Sequence, residues 1–302
     1  MRYIITLALA TLLAAPALAE VPRVVTDLST TGSLVAQVMG DLGAPVVLLD
    51  RGADAHSFQL RPSQAGDLAA AQAIIWIGPE MTPWLDRAAL GLNGGAVDLR
   101  LLAVPGTALQ PLDSGHDDDD GHAAGHDHGD AAVDPHAWLN PDNAGVWLTE
   151  IARVLSDLDP GNAATYAANA DMARAAVAQL DAELQAKLGP VQQTPLVVFH
   201  DAYGYFAAHF GLTVVGAIGG SDAASPGAAH LRDLQAQLAG TPVCLFPEVN
   251  HDAAQLAAFA DLPGVRIGAA LDPEGAGQAQ GPQLYADLMR GMAAAIVDCA
   301  AR

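Results

Sequence analysis

Positive charge is scarce in this chain: 13 Lys and Arg stand against 34 Asp and Glu in 302 residues, for a net charge of −21. Nucleic acid is bound by clustered cations that displace its counterions, so a nucleic-acid partner is excluded. Cysteine is almost absent, with Cys244 and Cys299 both in the last quarter of the chain. Neither has a second ligand-type residue at metal-ligand spacing, and in an oxidising compartment an isolated pair forms most simply one disulfide. Closing that loop would stabilise the C-terminal half by about 4 kcal/mol in the chain-entropy picture. After the first residues no segment sustains ~20 apolar side chains, so the mature chain is not expected to insert in a membrane. There is no His-Glu-x-x-His pair and no nucleophile elbow, which removes the usual signatures of a zinc protease or an α/β hydrolase.

The chain opens with MRYIITLALATLLAAPALAE: one arginine, an apolar run, then Ala17-Leu18-Ala19 in the small-x-small pattern of a signal-peptidase site. Residues 1–19 therefore read as an export signal and take no part in the fold. No cysteine follows the apolar run, which disfavours the lipid-anchored form of bacterial export and favours a Gram-negative periplasm. The remaining roughly 280 residues exceed what one core usually fills, so two domains are expected.

Short aliphatic runs alternate with helical patterns along the whole mature chain. Strands are expected at Arg23–Leu28, Val46–Asp50, Ile74–Gly78 and Ala96–Leu99, and again at Leu196–His200, Thr213–Ile218, Val243–Glu248 and Val265–Leu271. Continuous apolar strands separated by helices indicate parallel sheets covered on both faces, so the fold class is α/β with two doubly wound four-stranded sheets. Between the two sets, Pro141 to Leu188 carries no strand signal, and Pro160–Leu188 reads as one helix with proline in its first turn and Gly189-Pro190 at its end. At 1.5 Å per residue it would run roughly 40 Å and join the two domains rigidly. The expected organisation is an N-terminal domain over 20–157, a linking helix over 158–189 and a C-terminal domain over 190–302.

Residues 113 to 130, DSGHDDDDGHAAGHDHGD, gather His116, His122, His126 and His128 with seven aspartates and nothing apolar larger than alanine. Such a segment can collect transition metal but has nothing to bury, so it is expected to be a disordered loop of the N-terminal domain. Of the other six histidines, His56 and His200 follow predicted strand ends, where open α/β sheets present ligands. His136 lies in Asp134-Pro135-His136-Ala137-Trp138-Leu139, a rigid turn just after the acidic loop. His209 reads as a structural residue inside a helix, His230 lies on another helical pattern among alanines, and His251 reads as an exposed residue near a helix start; none of the three is expected to ligate the main site.

Three segments resemble the metal-specific periplasmic solute-binding proteins of ABC importers, and within them the zinc-specific ZnuA type. They are Gly52-Ala53-Asp54-Ala55-His56-Ser57-Phe58-Gln59-Leu60-Arg61-Pro62-Ser63 with Ile77-Gly78-Pro79-Glu80-Met81, Asp134-Pro135-His136-Ala137-Trp138-Leu139-Asn140-Pro141, and Phe199-His200-Asp201-Ala202-Tyr203-Gly204-Tyr205-Phe206. The histidine-acid loop and the late cysteine pair match as well, and the likeness covers essentially the whole mature chain. The resemblance implies two α/β domains joined by a long helix, one zinc ion as transported ligand in the cleft, and His56, His136 and His200 as its ligands. A third histidine suits zinc, whereas harder manganese favours a carboxylate there.

For the fourth position the resemblance implies Asp272, which lies in the region where other members supply an aspartate, and water competes with it; Asp272 is favoured because a nearby carboxylate lowers the cost of a dication held by three neutral imidazoles. Glu248, Asp134 and Asp201 are candidates to accept the second N–H of a ligating imidazole. The implied partner is an inner-membrane permease, and the implied state a monomer. Two further readings are a manganese or iron binder and a periplasmic zinc buffer. A zinc hydrolase is the enzyme alternative, since three histidines and a water also make a catalytic site. His126-Asp127-His128-Gly129-Asp130 imitates part of a dinuclear hydrolase motif, but Ala131 stands where that motif needs a histidine.

Overall fold

The computed structural model describes residues 21–112, 132–219, 227–251 and 256–302. All eight expected strands form, as β1 (Val24–Thr26), β2 (Val46–Val47), β3 (Ala73–Trp76), β4 (Val97–Arg100), β5 (Pro195–Val198), β6 (Thr213–Ala217), β7 (Val243–Leu245) and β8 (Val265–Ile267). They make two parallel sheets of one topology, β2-β1-β3-β4 and β6-β5-β7-β8. Every residue of β1, β3 and β7 is buried, which is why these runs carry no polar alternation. The regular strands are shorter than the apolar runs, but backbone bonds continue past them, as from the Leu48 and Leu49 N–H groups to the Thr26 and Asp27 carbonyls and from Ile218 and Gly219 to Val198 and Phe199. In each sheet the direction of winding reverses beside the first strand, between β1 and β3 and between β5 and β7, where carboxyl ends diverge and leave a crevice.

Helices α1 (Ser29–Met39), α2 (Pro62–Ala70) and α3 (Pro83–Leu92) connect the first sheet, and α6 (Gly204–Phe210), α7 (Ala228–Leu238) and α8 (Ala257–Ala260) the second. Between the sheets come α4 (Pro141–Leu158) and α5 (Ala163–Leu188). The long helix begins three residues later than expected, because Pro160–Asn162 forms a 3-10 turn. The buried Asp159 carboxylate fixes that turn, accepting Asn162 Nδ2 at 2.7 Å and the Tyr166 hydroxyl at 3.0 Å. From there α5 buries Tyr166, Ala170, Ala173, Val177, Leu180, Leu184 and Leu188, a stripe at steps of three and four that faces its neighbours. It packs on α4 and α1 from the first half and on α6 and α9 (Leu284–Ala300) from the second, so one rigid rod runs along both halves.

The final helix does more than complete the second half. Its start is tied to α1, where Ser33 Oγ accepts the Tyr285 N–H and donates to the Pro282 carbonyl. Its end is tied to the second sheet by the disulfide between Cys244 in β7 and Cys299, whose Cα atoms are 6.0 Å apart. One continuous apolar core consequently extends from the first sheet through α4, α5 and α9 to one face of the second sheet. A smaller core of Val197, Phe199, Leu234, Leu238, Val243, Leu245 and Phe259 covers the other face. No described helix is long and apolar enough to cross a membrane.

Candidate metal centre

Three imidazoles from three parts of the chain converge beyond the carboxyl ends of the strands. His56 follows β2, His136 enters the 3-10 turn Ala137–Leu139 after β4, and His200 follows β5. Ring centroids lie 5.5 Å apart for His136 and His200 and 6.5 Å apart for His56 and His136. Imidazoles sharing one tetrahedral zinc at ordinary bond lengths hold their centroids roughly 5 Å apart. The His136–His200 pair is thus close to ligating geometry, and His56 stands about an ångström wide of it.

Each of the inner two is oriented by a buried carboxylate. Asp134 Oδ1 lies 2.7 Å from His136 Nδ1 and also accepts the His136 N–H at 3.0 Å. Both oxygens of Glu248 reach His200 Nδ1, at 2.8 and 2.7 Å, and the Tyr203 hydroxyl donates to Oε1 at 2.9 Å. A carboxylate at Nδ1 makes Nε2 the nitrogen whose lone pair meets a cation, and raises the basicity of that ligand. Both Nε2 atoms are buried. His56, half-buried, belongs to a turn in which the Asp54 carboxylate accepts the His56 N–H at 2.8 Å and the Ser57 hydroxyl at 2.5 Å.

The surrounding contacts bind the halves to each other at this point. Trp138 Nε1 donates to the Pro273 carbonyl at 2.8 Å, and the Tyr285 hydroxyl to the Trp138 carbonyl at 3.0 Å. Tyr205, from α6, accepts the Gln110 N–H and donates to the Asp134 carbonyl. Burial pushes the Tyr205 hydroxyl up to about 12, so it stays a donor. Pro111 and Val133 pair in an antiparallel bridge that pinches the base of the acidic loop one residue from Asp134 and three from His136. Asn140 caps α4 by accepting the Asp142 N–H, which explains why Asn-Pro closes the central motif.

The family model described as ZnuA, zinc-uptake complex component A, periplasmic, matches residues 24–299. The chain belongs to the ZnuA family. It is 48% identical to the high-affinity zinc uptake system protein ZnuA of Paracoccus denitrificans, over 95% of this chain and 94% of that protein. It is 32% identical to the protein of the same description from Yersinia pestis, over 97% and 96%. Among solved structures, the periplasmic zinc-binding protein TroA of Treponema pallidum superposes with a TM-score of 0.78 at 21% identity, over 93% of this chain and 99% of that one, a likeness of fold. Membership in a family of uptake-complex components sets the hydrolase alternative aside: this is a binding protein, not an enzyme.

The carboxylates sort themselves by contact. Glu248 backs His200, and Asp134 backs His136, as the second N–H of each ring requires. Asp272 is brought beside Glu248 by the parallel bridge between Glu248 and Leu271. Its two oxygens accept the N–H groups of Ala276 and Gly277 at 2.8 and 2.9 Å, and it lines one cavity of about 90 Å³ with His200 and Glu248. Each oxygen keeps a second lone pair, so these bonds do not remove Asp272 from the candidate ligands.

His209 is structural, as expected, its Nε2 pairing with Asp181 on α5 at 2.7 Å, and His230 Nε2 donates to the Ala217 carbonyl at 2.9 Å. The reading of His251 as an exposed residue is corrected. Its ring stacks on Phe199 with centroids 4.1 Å apart, only 28% of the side chain is exposed, and it faces Glu248 and His200. His116, His122, His126 and His128, and the export signal, lie outside the described residues.

Proposed function

We propose that this chain captures one zinc ion between its two halves through His56, His136 and His200, with Asp272 the fourth ligand, and delivers it as a monomer to the inner-membrane permease of an ABC importer. The observation that carries this reading is the pair of buried imidazoles, His136 and His200, each fixed at Nδ1 by its own carboxylate and facing one point with His56. Neutral nitrogen ligands suit zinc better than manganese, and the two backing carboxylates supply negative charge without filling coordination positions. Nothing in this function requires chemistry, only binding and release. Because ligation needs neutral imidazoles, acid competes with zinc for the same lone pairs and assists release.

The organisation that goes with it is an export signal over 1–19, a first lobe over 20–157, a linking segment over 158–189 and a second lobe over 190–302. The loop carrying His116, His122, His126 and His128 is read as an accessory element that collects zinc, its pinched base delivering captured metal next to His136. Competition titration of the mature, metal-free protein tests the central claim. One tight zinc per chain, with manganese and iron much weaker, and loss by orders of magnitude in His136→Ala and in His200→Ala is expected. Full affinity in either variant, or a preference for manganese, refutes it.

A further inference from the structure

His251 has no place in the main site, yet its position is built. The ring is held against Phe199 at 4.1 Å with 21° between the planes, and its Nε2 points at Glu248 Oε2 across 3.5 Å. That separation is too long for a good hydrogen bond. Three other histidine–carboxylate pairs, His136–Asp134, His200–Glu248 and His209–Asp181, close to 2.7 Å. It does match the edge of a coordination tetrahedron, since two ligands at ordinary zinc distances sit about 3.3 Å apart. Ligand atoms of His200, Glu248 and His251 all lie within 4.8 Å of one another.

We infer that His251 Nε2 and Glu248 Oε2 form a second, outer position for a divalent transition metal, a staging point through which the ion enters the main site; the inference rests on the assignment of His56, His136 and His200 as that site. The cavity of about 90 Å³ in front of it is lined by the carboxylates of Asp54, Glu248, Asp272 and Glu274 together with His200 and His251, and such a mouth concentrates cations. Glu248 can serve both positions. Its Oε1 keeps His200 Nδ1 at 2.8 Å and is held by Tyr203, while Oε2, 2.7 Å from the same nitrogen, has a second lone pair for the outer ion. Two dications this close repel, so filling the inner site weakens the outer one and the two positions are not held tightly at once. The outer site is thus one of transit rather than storage.

The full mature chain tests this with the loop histidines 116, 122, 126 and 128 replaced by alanine, so that residual metal is not theirs. When His56→Ala and His136→Ala are added, one weakly held zinc per chain should remain in a competition titration, and further His251→Phe, which preserves the stack on Phe199, should remove it. In the chain with its main site intact, His251→Phe should slow zinc association in stopped flow by about tenfold and dissociation by the same factor, leaving affinity and final stoichiometry unchanged. Residual zinc indifferent to His251→Phe, no residual zinc before that change, or an unaltered association rate overturns the staging site. Tight zinc in the His56→Ala, His136→Ala chain would instead overturn the main-site assignment, a separate result.

Discussion

Replacing Glu248 by glutamine keeps the shape behind His200 and removes the charge. In the native site the imidazole Nδ1 meets both carboxylate oxygens, at 2.8 and 2.7 Å, with the Tyr203 hydroxyl donating to one of them. When Nε2 binds a dication, Nδ1 must carry its proton and donate it. A hydrogen bond to a charged acceptor contributes roughly 1.5–3 kcal/mol and a neutral one about half that, so the exchange costs about 0.75–1.5 kcal/mol. That predicts zinc affinity weakened roughly 4- to 13-fold, reaching the low end of the 10- to 100-fold range usual for groups that orient a ligand. The dissociation constant would be read by competition against a chromophoric chelator, with thermal unfolding of the metal-free form as the control for folding. Asp134→Asn, behind His136, should match it in size. An unchanged constant would refute the orienting role, and a loss as large as that of His200→Ala would show that Glu248 itself ligates.

Three further outcomes follow from contacts away from the ion. Converting Cys244 and Cys299 to serine should lower the melting temperature by about 10 °C, from about 4 kcal/mol of loop entropy, with little change in zinc affinity because neither sulfur lines the site; calorimetry with and without reductant checks it. Tyr205→Phe strips a partner from the Gln110 N–H and the Asp134 carbonyl, so hydrogen exchange at Gln110 should accelerate, and unchanged protection would show that the hydroxyl does not fasten the loop base. Glu183 on α5, held down to about 2 by hydrogen bonds from Arg290 and then Lys187, binds protons less readily folded than unfolded. Its small, solvent-screened contribution is present above the ordinary glutamate range and lost as pH falls through about 2, so Glu183→Gln should flatten the acid limb of a stability curve.

The strands were legible in the sequence because a parallel sheet buries both faces, and stretches such as Ala73-Ile74-Ile75-Trp76 then show no polar residue. His56 and His200 were legible for the same reason, as histidines placed where such runs stop. What local pattern does not carry is contact between distant segments. His251 reads as exposed because nothing nearby in sequence reveals that β5 will set Phe199 under its ring. The start of α5 was misplaced because proline suits the first turn of a 3-10 or an α helix equally, and it is the buried Asp159–Tyr166 bond that selects the former. The reach of α9 across to Ser33 is likewise a matter of tertiary packing: its apolar face shows that it must be covered, not by what.

The three imidazoles are not held alike, and this bears on release. His136 and His200 sit in a frame cross-braced by Trp138–Pro273, Tyr285–Trp138 and Tyr205–Asp134 contacts, all buried at the meeting of the halves. His56 rides on a turn made largely by its own neighbours, and residues 51 and 52 of that segment are exposed. Across the cleft, Arg51 Nε donates at 3.1 Å to the carbonyl of Ala276, whose N–H is itself bound by Asp272. This bond latches the His56 arm to the turn that presents the fourth candidate ligand. A net contribution of about 0.5–1.5 kcal/mol from such a bond corresponds to a roughly two- to tenfold change in occupancy of the closed arm. Arg51→Ala should therefore speed zinc dissociation by that factor while leaving association nearly as it was, measured by chelator-chase stopped flow. Dissociation unaltered by Arg51→Ala would mean that the arm is fixed by other contacts, and that release requires the braced His136–His200 frame itself to open.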